Sequence, residues 1–296
     1  MTLETVSFEG HDCVRLEDGD VALVVTISAG PRILGMLVEG GNLFAVLPDA
    51  TLDGPDGERF RFLGGHRLWV APEVPSITYR SDDRACAVTE VEDGVIVEAL
   101  PDGAQLAKSI AVRCDPPGWI VDHVVRNGSK RSMSIAPWAI TQFRTGGEAV
   151  LPIAPREEGP QADRSLVLWP YTSWEDPRFR ALDGLFLLRA DAGPSLKLGY
   201  FNDAGWVGYL RDDVLLVRRF EALPGRPHPD LGCNVEIYIG NRFLELELLG
   251  PLAELAPGAT AQLTERWEVL SVEGGSGEDR IRGLAERMTQ RSDPAA

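Results

Sequence analysis

Val235-Glu236-Ile237-Tyr238-Ile239-Gly240-Asn241-Arg242-Phe243-Leu244-Glu245-Leu246-Glu247-Leu248-Leu249 alternates apolar and polar side chains through two runs broken at Gly240-Asn241-Arg242. A period of two is that of a β-strand, so the pattern predicts two successive strands, each with one face for a core. In the first, Asn234, Glu236 and Tyr238 share a face and Val235, Ile237 and Ile239 take the other. A carboxylate between an amide and a phenol suits the floor of a polyol site, with Glu236 a candidate base. The same pattern also fits an ordinary solvated face. In the second run Glu245 and Glu247 stand roughly 7 Å apart in a row opposite Leu244, Leu246 and Leu248. Paired glycosidase carboxylates flank a bond from two sides, so this row is expected to be a solvated or hydrogen-bonded face.

The same vocabulary extends over most of the chain. Residues 22–27 read as a buried strand, and 33–38 are followed by Gly40-Gly41-Asn42, a turn that returns the chain into 43–46. Residues 87–91 and 95–100 flank Glu92-Asp93-Gly94, read as a hairpin loop with glycine where positive φ is needed, and 109–113 and 119–127 flank Asp115-Pro116-Pro117-Gly118. Further strands are expected at 185–189, 214–220, 235–239, 243–249 and 261–270. Helix signals are confined to the C-terminus, where Ser276-Gly277-Glu278-Asp279 has the form of a capping box and Ile281, Leu284, Ala285 and Met288 fall at helical spacing. The proline-rich stretches 152–160 and 224–229 read as long loops. No composition shift or repeat divides the chain, so the expectation is one all-β antiparallel domain over 1–296 with a short helix packed on its outside.

Composition narrows the function classes. With 296 residues and 44% apolar content, the chain can bury a large core. A net charge of -16 and the lack of any Lys/Arg run argue against a nucleic-acid partner and favour a small neutral ligand. Cys13, Cys86, Cys114 and Cys233 are scattered, with neither disulfide nor zinc spacing, and read as reduced thiols. No apolar run reaches the ~20 residues of a membrane span, and the N-terminus lacks a basic region followed by an apolar one, so a cytoplasmic location is expected.

The densest chemistry lies at Gly64-Gly65-His66-Arg67-Leu68-Trp69-Val70-Ala71-Pro72-Glu73. A pyranose offers hydroxyls that favour bidentate charged partners and a C–H face that favours an aromatic plane, which Arg67, Glu73 and Trp69 can supply. His66 adds a group that moves a proton near neutral pH. The plainer reading makes Trp69 core and His66 and Arg67 hydrogen-bonded structure. Trp138, Gln142, Trp169, Tyr171, Trp174, Lys197 and Trp206 are open to the same two readings.

These residues also carry a resemblance. The decapeptide above, with Pro137-Trp138-Ala139-Ile140-Thr141-Gln142, Lys197-Leu198-Gly199, the 234–238 and 243–251 segments, and Pro257-Gly258 followed by Glu265-Arg266-Trp267-Glu268, resembles a bacterial family with a galactose mutarotase-like, aldose 1-epimerase-like fold. The resemblance implies a large antiparallel β-supersandwich. It implies chemistry in which a carboxylate removes the anomeric hydroxyl proton while a histidine protonates the ring oxygen. Glu236 resembles the base. The Thr-Asn-His of mutarotases corresponds to Thr141-Gln142-Phe143, and phenylalanine cannot give a proton, so His66, which resembles the second active-site histidine, is expected to serve as acid. Arg67, Glu73, Gln142 and Lys197 would orient hydroxyls, with Trp69, Trp138 and Tyr238 contacting the sugar; no cofactor and no metal ion are expected. The implied function is a cofactor-independent aldose epimerase or related sugar-modifying enzyme, the alternative a non-catalytic carbohydrate-binding protein using the same concave face.

Overall fold

The computed structural model describes residues 2–55, 57–99, 101, 103–154, 159–272 and 278–290. Its alternating runs pair antiparallel into two large sheets. The first runs Thr2–Phe8, His11–Asp18, Val21–Thr26, Arg32–Val38, Arg59–Ala71, Met133–Arg144, Phe243–Leu249, Val235–Ile239, Leu196–Tyr200 and Leu166–Leu168, with Gly41–Asn42, Val46–Asp53 and Ala253–Leu255 paired to its side. The second runs Phe179–Leu182, Leu185–Arg189, Glu148–Pro152, Trp206–Arg211, Val214–Phe220, Thr260–Ser271, Gly118–Asn127, Leu106–Asp115, Gly94–Ala99 and Ala87–Val91. This is the all-β antiparallel architecture that the strand patterning predicts, in the two-sheet form that the resemblance implies.

The sheets face each other across one apolar cluster. Leu244, Leu246, Leu248, Val235, Ile237 and Ile239 of the first sheet meet Val95, Val97, Val112, Val121 and Trp267 of the second. Each such aliphatic side chain contributes about 1.5–3 kcal/mol on burial, and a one-residue slip would turn all six of the first set outward, so the register is strongly held. The same register turns Glu236, Glu245 and Glu247 to the outer face of the first sheet. On the outer face of the second sheet, Ile281, Leu284, Ala285 and Met288 of the Glu278–Gln290 helix pack on Trp206, Leu215 and Val217. Trp206 donates to the Thr289 hydroxyl at 3.1 Å. Ser276 and Gly277 of the expected cap lie outside the described residues, as does Leu100 at the end of an expected strand. No helix among the described residues is long and apolar enough to cross a membrane.

One turn differs from expectation. In the 92–94 loop the left-handed residue is Asp93, at φ 55°, and Gly94 already pairs with Val91. Glycine is needed there for room, because a Cβ would sit 2.1 Å from the Val112 carbonyl oxygen.

The Arg59–Ala71 strand is kinked. Leu63, Gly64 and Gly65 all take positive φ, at 56°, 88° and 73°. Before the kink the strand pairs with Val46–Asp53; beyond it, with Arg32–Val38 and Met133–Arg144. The kink also changes parity: Phe60 lies on the outer face, yet so do Trp69 and Ala71, while Leu68 and Val70 point into the core. Three consecutive left-handed residues thus act as a bulge that swaps which side chains face out. A Cβ on Gly65 would lie 2.4 Å from the Ile33 carbonyl oxygen, and one on Gly64 2.0 Å from that of Ala45. Gly65→Ala is therefore expected to cost about 3 kcal/mol or more, whereas Gly40→Ala, at φ 81° but in open space, costs about 1 kcal/mol. Chemical denaturation of the two variants separates backbone conformation from collision; equal losses would deny the close approach at Gly65.

Candidate active site on the outer face of the first sheet

Strand register sets the side chains in rungs. One rung reads Arg67, Ile140, Glu247, Glu236 and Gly199, and the next Gln142, Glu245, Tyr238 and Lys197. Trp69 and Trp138 pair directly, with rings 5.4 Å apart at 70°, and with Phe60, Ile140 and Leu249 they form an apolar patch beside the polar rungs. Gly199 leaves a gap in its rung that is already filled: a Cβ there would meet Cys233 Sγ at 2.8 Å and Glu236 Cγ at 3.0 Å. The missing side chain is what lets Glu236 lie where it does.

Lys197 is the hub. Its Nζ lies 2.7 Å from Glu236 Oε2 and 3.0 Å from Glu247 Oε2, with the rings of Trp138 and Trp169 centred 4.9 and 4.6 Å away. Glu247 Oε2 also accepts the Trp138 indole N–H at 2.8 Å, and Gln142 Nε2 donates to Glu245 Oε1 at 2.8 Å. Lys197, Glu236, Glu247 and Gln142 are buried, Glu245 partly so. Burial raises all three carboxyls, to about 9 for Glu236 and about 8 for Glu245, with Lys197 opposing and Glu247 adding to the rise in both. Burial works to discharge Lys197, but Glu247 and Glu236 outweigh it and hold the ammonium charged.

Arg67 lies flat against aromatic rings, its guanidinium carbon 4.2 Å from the Trp69 ring centre and 4.7 Å from that of Phe60. Asp82 Oδ2 is 3.6 Å away, but both oxygens of Asp82 are taken by Arg32, at 2.9 and 2.7 Å. Burial, with Arg32 adding to it, pulls Arg67 down to about 9. Among the described residues, none of its three nitrogens has a hydrogen-bond partner, and the same holds for Oε1 of Glu236, whose Oε2 meets Lys197, and for Oε1 of Glu247 and Oε1 of Gln142. Buried polar atoms are rarely left so; others lie singly on residues such as Arg15 and Arg211, but several fall together on this patch of the first sheet.

Aromatic residues roof the cluster. Trp169 lies over Lys197, the Tyr171 ring meets Tyr238 edge-on, and Tyr79 stands edge-on to Trp69 while donating to Glu73 Oε1. The loop that carries Trp169 and Tyr171 is fastened by Thr172, whose hydroxyl donates to the Lys197 carbonyl at 2.6 Å and accepts the Lys197 N–H at 2.9 Å. Glu73 itself is exposed at the rim, and its charge is felt at Glu247 and Tyr171. Trp174 is 68% exposed, and Trp206 belongs to the helix contact. Two open clefts, of about 560 and 810 Å³, lie elsewhere, on the second sheet; the first is lined by Gly146, Glu148, Arg180 and Asp191 among others.

The structure thus brings together Arg67, Trp69, Trp138, Gln142, Lys197, Glu236 and Tyr238, with Glu73 at the edge. It does not bring His66. Because the kink shifts parity, His66 points between the sheets, where Thr141 Oγ1 lies 2.8 Å from its Nδ1 and His123 Nε2 lies 2.6 Å from its Nε2. His123 Nδ1 faces the Leu263 carbonyl oxygen at 2.9 Å, which only a protonated nitrogen can satisfy. That fixes the remaining protons: His123 Nε2 accepts from His66 Nε2–H, and His66 Nδ1 accepts from the Thr141 hydroxyl. Both rings are then neutral and fully used. Phe143, matched by sequence to the mutarotase histidine, is also a core residue, stacked 4.2 Å from the Tyr209 ring; of Thr141, Gln142 and Phe143, Gln142 looks outward. Glu245 and Glu247 correct the expectation in the other direction, since they belong to the cluster instead of a solvated face.

His66, His123 and Glu265 have ligand atoms within 4.8 Å of one another, a spacing that a metal ion could use. Their hydrogen bonds are already committed. Glu265 takes Arg218 at 2.7 and 2.8 Å and the Trp267 indole at 2.6 Å. Burial raises the Glu265 carboxyl, but Arg218 overrides this and leaves it below its ordinary value.

Burial, with Arg218 adding to it in both, lowers the two imidazoles; in His66 the facing His123 adds a further share. A histidine whose folded value lies below the unfolded ~6.5 contributes stability above that pH and loses it as pH falls toward the folded value. The stability difference between the wild type and His123→Gln, measured by denaturant unfolding so that other titrating groups cancel, is expected to shrink as pH drops from 7 to 5. A difference constant over that window would contradict the neutral pair.

Comparison with known proteins bears on the fold. No protein-family model matches the chain, and no curated protein does. Among solved structures, a protein proposed to be an aldose 1-epimerase from Klebsiella pneumoniae superposes with a TM-score of 0.60 at 10% identity, over 99% of this chain and 87% of that one. A galactose mutarotase-like protein from Lactobacillus casei gives 0.55 at 12%, over 87% and 100%. A protein proposed to be an aldose 1-epimerase from Escherichia coli K12 gives 0.54 at 13%, over 87% and 98%. The chain has the galactose mutarotase-like fold. At these identities the likeness shows the architecture, and the activity has to be argued from the side chains.

Proposed function

We propose that this chain is a carbohydrate-active isomerase of aldose 1-epimerase type, working without a cofactor by general acid/base chemistry on the outer face of the first sheet. The observation that carries this reading is the set of unpaired polar atoms of Arg67, Gln142, Glu236 and Glu247, gathered beside the Trp69 and Trp138 rings. Carboxylates, a guanidinium and an amide oxygen together match the donors and acceptors around a pyranose, and the indoles match its C–H face. The ligand in this proposal is a small sugar or sugar derivative, and the setting cytoplasmic.

Glu236 takes the base role. It would remove the proton of the anomeric hydroxyl as the ring opens and return it on reclosure from the other face. Lys197, 2.7 Å away, steadies its negative charge, and Gly199 and Cys233 confine it. Arg67, Gln142, Glu73 and Tyr238 would orient hydroxyls. His66 is withdrawn as acid, since both its nitrogens are occupied between the sheets.

The second reading, a binding protein with no turnover, is favoured by the absence of a histidine from the cluster. Exchange NMR on a panel of aldoses and uronic acids separates the two. The expected result is protein-accelerated exchange between α and β anomers, reduced at least about a hundredfold in Glu236→Gln with sugar affinity largely kept. Line broadening of the sugar without acceleration would support the binding reading, and full activity in Glu236→Gln would remove Glu236 from the mechanism.

A further inference from the structure

We infer that Glu245 is the proton donor to the ring oxygen, so that a carboxylic acid stands where mutarotase chemistry uses a histidine. The inference rests on the epimerase reading above and names the group which that reading leaves open.

Three carboxyls share this face with one ammonium in contact. Lys197 lies against Glu236 and Glu247 at 2.7 and 3.0 Å, and Glu247 gains the Trp138 N–H as well. Glu245 receives only the neutral amide of Gln142. Every charged or titratable neighbour shown to act on it or respond to it lies beyond that contact: Glu247 disfavours its ionisation, Lys197 and Arg67 favour it, and it raises Tyr79 in turn. Lys197 in contact and Arg67 beyond it are two positive charges against three carboxyls that titrate as one unit, so the cluster keeps a proton near neutral pH. The proton is least costly on the carboxyl that no cation contacts, which is Glu245. Burial raises both carboxyls, Glu245 to about 8 and Glu236 to about 9, and the 2.7 Å ammonium contact is what gives Glu236 the ionised role of the pair.

The placement suits the step. Glu245 pairs across the strands with Tyr238, one rung from the Glu236–Glu247 pair, and diagonal neighbours of this kind stand roughly 7–8 Å apart at their Cα atoms. A hemiacetal carbon between them presents its hydroxyl to one carboxyl and its ring oxygen to the other. As the bond from C1 to the ring oxygen breaks, the O1–H proton goes to Glu236, C1=O1 forms, and the Glu245 proton goes to the ring oxygen. Reclosure on the opposite face runs both transfers backwards. Protons and electrons balance without a co-reactant.

Two arms test this on the full-length protein. Carboxyl ¹³C NMR of the wild type at pH 7, with the three glutamates assigned from their Gln variants, is expected to place Glu245 at the protonated shift and Glu236 at the ionised one; the reverse would overturn the assignment. Anomer exchange on an aldose that the wild type turns over is expected to fall at least about a hundredfold in Glu245→Gln, and to recover in part in Glu245→Ala as acetic acid is added. The recovery should follow the concentration of protonated acetic acid, which repair of a merely structural defect would not do. Exchange within twofold of wild type in Glu245→Gln, alongside an inactive Glu236→Gln, would overturn the acid assignment and leave the epimerase reading standing. A wild type that accelerates exchange of no sugar overturns both.

Discussion

The parity change at Leu63-Gly64-Gly65 is the constraint on which the site depends. Without it, the face that carries Phe60 would continue to His66 and Leu68, and the outer face would hold an imidazole and a leucine where it holds Arg67 and Trp69. Positive φ at three successive residues lets the strand change partners and faces in one step, and backbone packed against Gly64 and Gly65 allows no side chain at either. One local irregularity therefore decides which members of the 64–73 decapeptide do chemistry and which build the core.

The two polar groups on either side of the first sheet show what that decision means energetically. Between the sheets, Thr141, His66, His123 and Leu263 form a chain in which every proton has one place, and Arg218 and Glu265 are matched charge for charge, with Arg218 also donating to the Leu246 carbonyl of the opposite sheet at 2.7 Å. Such a network is satisfied and specifies one arrangement of the sheets. On the outer face the account does not close: three carboxyls meet one ammonium, and Arg67 lacks a hydrogen-bonding anion. Natural folds tolerate that imbalance chiefly where a ligand or a proton transfer uses it.

Much of the fold was legible because it rests on period and turn chemistry. Strands at 235–239 and 243–249 follow from alternation, those at 185–189 and 214–220 from short apolar runs, and the C-terminal helix from its apolar spacing. Glu236, Lys197, Trp138 and Gln142 could be singled out because each stands on a polar strand face or among aromatic neighbours. The rest required register. Nothing local says that Ile140 lies opposite both Arg67 and Glu247, so Glu245 and Glu247 read as a wet surface when a neighbouring strand and an aromatic roof in fact cover them. His66 faces inward, against the sequence expectation, for a different reason: glycines announce a kink without saying whether it changes parity.

The Thr172 clasp joins two things that are usually separate. Its hydroxyl holds both the N–H and the carbonyl of Lys197, so the loop bearing Trp169 and Tyr171 is tied to the residue whose ammonium sets the charge of the cluster. The clasp is to the Lys197 backbone, while its ammonium reaches Glu236 and Glu247, so one residue anchors the roof by its main chain and the charge balance of the floor by its side chain.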